Sequence, residues 1–62
     1  MKELLMDMQD YAWQLLLETD LAEGPPHDIA HAKDMFLLKY PDNERIWEEV
    51  FEEYEEYISS RF

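Results

Sequence analysis

The last third of the chain places its apolar and acidic residues on two sides of a helix, and this separation constrains the fold most. At about 100° per residue, the apolar residues of this segment fill an arc of about 160°. They are Ile46, Trp47, Val50, Phe51, Tyr54, Tyr57, Ile58 and Phe62. The strict alternation that a half-buried strand requires is absent. The pattern therefore predicts an amphipathic helix over about residues 42–60.

The other side of this predicted helix carries only carboxylates along its middle. They belong to Glu48, Glu49, Glu52, Glu53, Glu55 and Glu56. Each like-charge pair four residues apart destabilises an isolated helix by about 0.2–0.5 kcal/mol at low salt. A helix selected only for solubility would interleave lysines, yet the basic residues of this segment, Arg45 and Arg61, lie at its ends. The carboxylates are therefore either a solvated face or a binding surface, and both interpretations stay open.

Proline and glycine place two joints earlier in the chain. At the first joint, we expect Gly24 to adopt the left-handed conformation beyond the first helix, because glycine has no Cβ. Pro26 suits the first turn of the next helix, where its missing N–H is not needed. At the second joint, Pro41 ends the helix, and Asp42 or Asn43 can cap the third one.

These signals predict an all-α fold, a small three-helix bundle in a single domain over residues 1–62. The helices are expected at about residues 3–22, 26–39 and 42–60. A domain this small usually needs very good packing, a disulfide, a metal or oligomerisation. The chain has no cysteine, which excludes a disulfide. Stabilisation by forming a homodimer remains an open alternative.

The first predicted helix is apolar over more than half of its circumference, because Met6, Trp13 and Leu17 form a second stripe beside the main one. One interpretation is a central helix flanked by the other two, with Trp13 covering the edge of the core. The other is that the stripe contacts a second copy or a partner, since Met and Trp are enriched in interface cores.

The net charge of −11 limits the partners of the chain. Only five Lys and Arg residues are present, so direct binding of nucleic acid through a basic footprint is not expected. Anionic membranes are disfavoured for the same reason. Acids interrupt the apolar start of the chain, so we expect neither a signal peptide nor a membrane span, and we place the protein in the cytoplasm. The expected partner is a basic protein, and a nucleic-acid-binding one in particular.

The segment from His27 to His31 is the part of the chain most like a chemical motif. Two histidines four residues apart on a helix can chelate zinc or nickel, and the spacing imitates a zinc-protease motif. A third ligand is not evident, with Asp34 the best candidate, and a short chain offers little room for a cleft. We therefore treat His27 and His31 as weak candidates for metal ligands. We expect the protein to bind no cofactor and not to be an enzyme.

Two functions from different classes remain. The first is an inhibitor or regulator whose acidic helix occupies a basic groove that normally holds nucleic acid. Its six glutamates would span about 12 Å of helix axis, or one charge per about 2–2.5 Å, against about 1.7 Å in duplex DNA. In this respect the chain resembles small acidic proteins of phages and mobile elements that block host nucleases, restriction systems, polymerases or DNA-packaging proteins. The second is a homo-oligomeric adaptor or antitoxin-like subunit that uses Met6, Trp13 and Leu17, with the acidic face only solubilising it.

Overall fold

The computed structural model describes residues 2–61, and the side chains of residues 4–60. This part of the chain contains three helices, α1 (Lys2–Leu21), α2 (Ile29–Lys39) and α3 (Glu44–Arg61), and no strand. The predicted three-helix bundle is confirmed. Phe62, which the sequence assigned to the apolar side of the third helix, lies outside the described residues.

All three helices contribute side chains to one core. Its buried members are Met8, Ala12, Leu15, Leu16, Ala32, Phe36, Trp47, Val50 and Tyr54. The helix α1 packs extensively against both α2 and α3, whereas α2 and α3 share a smaller contact. A helix in this central position needs a wide apolar surface, which explains why α1 is apolar over more than half of its circumference.

The end of α1 is a Schellman motif. The N–H of Glu23 donates to the carbonyl of Glu18 at 3.1 Å, and the N–H of Ala22 donates to the carbonyl of Thr19 at 3.3 Å. The residue in the left-handed conformation is Ala22, with a φ of 55°. Because α1 ends at Leu21, the left-handed position after it falls on an alanine.

The expectation that Gly24 adopts the left-handed conformation is therefore wrong. A glycine is needed there for a different reason, which is the close approach of the loop to α1. A Cβ added at Gly24 would lie 2.6 Å from the Cβ of Glu18, well inside van der Waals contact. The glycine lets the chain turn back against the last turn of α1.

The helix α2 begins at Ile29 and not at the predicted residue 26. The carboxylate of Asp28 accepts a hydrogen bond from the N–H of His31 at 2.8 Å, and its backbone is extended, as at an N-cap. The side-chain cap at Asp28 thus sets the start, where sequence reasoning gave that role to proline. Pro26 lies in the preceding loop and is buried.

The start of α3 is fixed by the backbone and side chain of Asn43. Its carbonyl accepts from the N–H groups of Ile46 and Trp47 at 3.1 and 3.2 Å. Its side-chain amide donates to the carbonyl of Pro41 at 2.9 Å, which ties the joint to the helix. Asp42, just before it, has a φ of 64°. This turn orients α3 so that Trp47 enters the core.

Candidate functional site

The acidic face of α3 is a surface of six glutamates, all of them exposed. Its members are Glu48, Glu49, Glu52, Glu53, Glu55 and Glu56. Their exposure follows from the opposite side of the helix, where Trp47, Val50 and Tyr54 are only 3–4% exposed. The structure therefore brings every glutamate of the predicted binding surface to solvent on one helix.

Among the side chains of residues 4–60, one positive charge pairs with this acidic face. Nε of Arg45 is 3.7 Å from Oε1 of Glu49, and this is the one ion pair among the described residues. Both side chains are strongly exposed, at 90% and 56%. Exposed pairs of this kind contribute about 0–1 kcal/mol and are screened by salt. Within the part of the chain whose side chains are described, five of the six glutamates thus have no ion-pair partner.

The three residues of the second predicted surface differ in their exposure to solvent; they are Met6, Trp13 and Leu17. The indole of Trp13 packs edge-on against the rings of Tyr54 and Tyr57, with centroid distances of 5.4 and 5.7 Å. Leu17 is half-buried against the core, whereas Met6 is 60% exposed. Trp13 covers the edge of the core, as the central-helix interpretation expected. Of the three side chains, Met6 is the one that faces solvent freely.

Two neighbours of Met6 at the start of α1 are also exposed. Leu4 is 54% exposed and Leu5 is 41% exposed. Because consecutive helical residues are separated by about 100° around the axis, these three side chains point in different directions. They form an apolar collar around the start of α1 rather than a flat patch.

The two histidines lie close together, although His27 precedes α2 and only His31 belongs to it. Their rings stack with centroids 5.2 Å apart, and the N–H of His27 donates to Nδ1 of His31 at 3.2 Å. Within the described part of the chain, no group of three or more His, Cys, Asp or Glu residues could hold a metal. Asp34 therefore does not complete a site with them.

A cavity of about 350 Å³ opens between the end of α1, the start of α2 and the second half of α3. It is lined by Thr19, Asp20, Ile29, Phe51, Tyr54, Glu55 and Ile58. The side chains of Ile29, Phe51 and Ile58 make its walls apolar, whereas Asp20 and Glu55 contribute carboxylates. We call this site the tyrosine cavity, after Tyr54.

The hydroxyl of Tyr54 is a buried polar group without a hydrogen-bond partner among the described residues. Burial raises the pKa of this hydroxyl above its ordinary value, and the Asp20 carboxylate, which lies near enough to attract its proton without meeting strict hydrogen-bond geometry, raises the pKa further. The hydroxyl therefore stays protonated and remains a hydrogen-bond donor. A buried hydroxyl with no acceptor at all would cost about 1–3 kcal/mol, and an acceptor in poor alignment offsets only part of that cost.

Sequence reasoning missed the tyrosine cavity because its lining comes from three separate helices. A weaker signal was present in α1, whose last turn contains Asp20 and no basic residue. A carboxylate at the negative end of a helix is unfavourable, so an acidic residue there is a weak indication of a functional site.

Comparison of the chain with protein-family models, with curated proteins and with solved structures finds no match. None of the three helices, over the residues described, combines the length and the apolar character needed to cross a membrane.

Proposed function

We propose that this protein is an inhibitor or regulator that binds a basic partner protein through the acidic face of α3. The partner is a nucleic-acid-binding protein, and the acidic face occupies the groove that normally holds DNA or RNA. On this proposal the protein acts by competition and not as an enzyme, and it works in the cytoplasm.

The observation that supports the proposal most directly is the exposure of all six glutamates with one weak ion pair among them. Solubility alone needs a net charge of magnitude about 2–8 on a small domain. The net charge of this chain is −11, which exceeds that range. Like-charge neighbours also destabilise α3. The chain thus tolerates a cost in stability that binding to a basic groove would offset.

The spacing of the charges supports a groove that binds nucleic acid. Because α3 is a continuous helix, its glutamates project at 1.5 Å of rise per residue, giving one charge per about 2–2.5 Å of axis. This density lies between that of duplex DNA, about 1.7 Å, and that of one strand, about 3.4 Å. Phages and mobile elements encode small acidic proteins of this general kind against host nucleases, restriction systems, polymerases and DNA-packaging proteins.

The proposal is tested by capture and competition. The immobilised protein is incubated with a bacterial lysate, and the captured proteins are challenged with a short DNA duplex. We expect the duplex to displace them, and we expect capture to weaken steeply with salt. The triple variant with Glu49, Glu53 and Glu56 changed to Gln should lose the capture while circular dichroism shows its helices intact.

A matched control separates the acidic face from net charge in general. Asp7, Asp10 and Asp34 are exposed and lie on α1 and α2, and changing all three to Asn removes the same number of charges. This control should keep the capture. The acidic-face proposal is wrong if both triple variants lose capture equally, or if the duplex displaces nothing.

The exposed apolar collar at Leu4, Leu5 and Met6 supports a second candidate, a homo-oligomeric adaptor or antitoxin-like subunit. Under this candidate the protein is a dimer, and a charge placed on the collar dissociates it. Met6→Asp is a cleaner test than Trp13→Ala, because Trp13 also supports the core. Light scattering that gives a monomer for the unmodified protein contradicts this candidate.

A further inference from the structure

The tyrosine cavity combines features that favour one class of ligand. Its volume of about 350 Å³ lies at the lower end of the range for ligand sites, about 300–1,000 Å³, so it suits a group no larger than a side chain. The walls of Ile29, Phe51 and Ile58 suit an aliphatic stem. The ligand should therefore have an apolar body of modest size.

The charges around the cavity determine the other end of that ligand. Asp20 and Glu55 line it, and no Lys or Arg is among the lining residues. The C-terminus of α1 adds the negative end of a helix dipole at the same place. A cation that enters here would meet three sources of negative potential.

The Tyr54 hydroxyl provides an independent indication of a ligand. Tyr54 is 96% buried, and its oxygen has no partner in hydrogen-bond geometry, although its side chain lines the cavity beside Asp20. The oxygen itself is closed to solvent, so it does not contact a bound cation directly. It can donate to the Asp20 carboxylate and so hold that carboxylate in place for a cation in the cavity.

We infer that the tyrosine cavity accepts the side chain of an arginine or a lysine that the basic partner presents beside the acidic face. The aliphatic stem lies against Ile29, Phe51 and Ile58, and the cationic head binds between Asp20 and Glu55. Glu55 belongs to both surfaces, so the cavity continues the acidic face toward α1. The inference rests on the proposed function for its partner, but the binding chemistry of the cavity is testable without one.

The probe is N-acetyl-arginine N-methylamide, compared with the citrulline analogue, which has nearly the same shape and no charge. Each is titrated into the isotopically labelled protein at fixed ionic strength, and amide chemical shifts are followed. We expect the arginine probe to give saturable shifts centred on Asp20, Tyr54 and Glu55, and the citrulline probe to give none. Shifts of equal size from both probes would overturn the inference.

Variants show whether the cavity or the total charge binds the probe. We expect Asp20→Asn to weaken the titration by about threefold to tenfold, as for the loss of one partly screened charged hydrogen bond. Tyr54→Phe keeps the ring and should weaken it by about threefold. Asp10→Asn makes the same charge change on α1 away from the cavity, and should leave the titration unchanged. An equal loss in Asp10→Asn and Asp20→Asn would refute the cavity as the site.

These titrations contain no partner protein, so their outcome is independent of the capture experiment. If the arginine probe binds and the capture shows no dependence on the acidic face, the proposed function fails while the cavity remains a cation site. If capture depends on the acidic face and the probe gives no saturable shifts at the cavity, the inference fails alone.

Discussion

The indole of Trp13 meets the phenol ring of Tyr54 edge-to-face, with centroids 5.4 Å apart and planes at 82°. This contact joins the middle of α1 to the middle of α3, on the edge of the core next to solvent. Edge-to-face pairs contribute about 0.5–1.5 kcal/mol beyond the area that they bury. The contact therefore helps to hold α3, and with it the acidic face, on the bundle.

Trp13→Ala should destabilise the fold by about 2–3 kcal/mol, below the range of about 3–5 kcal/mol for fully buried aromatic residues, because Trp13 is only half-buried. Bundles of this size rarely exceed about 3–5 kcal/mol in total, so a large unfolded fraction is expected. Urea denaturation followed by circular dichroism measures this. Leu38→Ala, at a side chain that is 82% exposed, should change stability by less than about 0.5 kcal/mol.

Ala22→Gly should stabilise the protein by about 0.5–1 kcal/mol. Left-handed backbone costs a non-glycine residue about 1–2 kcal/mol, and the added freedom of the unfolded chain removes part of that gain. The matched control is Gln9→Gly at an exposed position inside α1, which should lose about 0.5–1 kcal/mol. A lower melting temperature for Ala22→Gly would contradict the left-handed assignment.

Gly24→Ala should destabilise the protein by about 1–3 kcal/mol, because the new Cβ must displace Glu18 or the loop. The neighbouring Glu23→Ala is the control and should have little effect, since Glu23 is exposed. Thermal denaturation of the two variants side by side measures the difference. Equal melting temperatures would contradict this prediction, because they would show that the loop accommodates the added Cβ without loss of stability.

Tyr54→Phe should alter how stability depends on alkaline pH. In the unfolded chain Tyr54 loses its proton near the ordinary pKa of 10.0, whereas in the folded protein its pKa is raised. The folded state thus binds more protons above that pH, and the free energy of unfolding falls as pH rises. Tyr54→Phe removes this contribution and should flatten the decline in urea denaturation measured near pH 8 and above pH 10.0. An equally steep decline in both proteins would contradict the shifted pKa.

Glu52→Lys should stabilise α3 and, under the proposed function, weaken partner binding. Residue 52 has glutamates three and four residues away on both sides, so the change turns four repulsions into attractions; these are Glu48, Glu49, Glu55 and Glu56. Each reversal contributes about 0.4–1 kcal/mol, so we expect a total gain of about 1.5–4 kcal/mol at low salt that fades at high salt. Asp34→Lys makes the same charge change without acidic residues three or four positions away, and should gain less.

Periodicity was sufficient to predict α3 in this chain. The buried residues Trp47, Val50 and Tyr54 all come from the predicted apolar side, and all six glutamates are exposed. Side-chain segregation of this strength leaves one orientation that buries the apolar arc, so local sequence determines it.

The joints were harder to predict, because competing local signals lie within a few residues of each other. Pro26 and Asp28 both favour a helix start, and the hydrogen bond from the N–H of His31 to Asp28 decided between them. Gly24 was predicted to be left-handed because glycine tolerates that conformation. The helix α1 ends at Leu21, so the left-handed residue after it is Ala22. The tyrosine cavity depends on how three helices meet, which no single segment encodes.

If the protein functions as proposed, the central position of α1 makes partner binding depend on global folding. Because α2 and α3 share only a small contact, the hairpin that they form has little to stabilise it once α1 detaches. An isolated α3 would also bear the repulsion of its own glutamates, and short helices are marginal in water even without such repulsion. We therefore expect the acidic face to be ordered only in the intact bundle. A protease or a chaperone that captured α1 would therefore abolish the proposed binding without touching the acidic face.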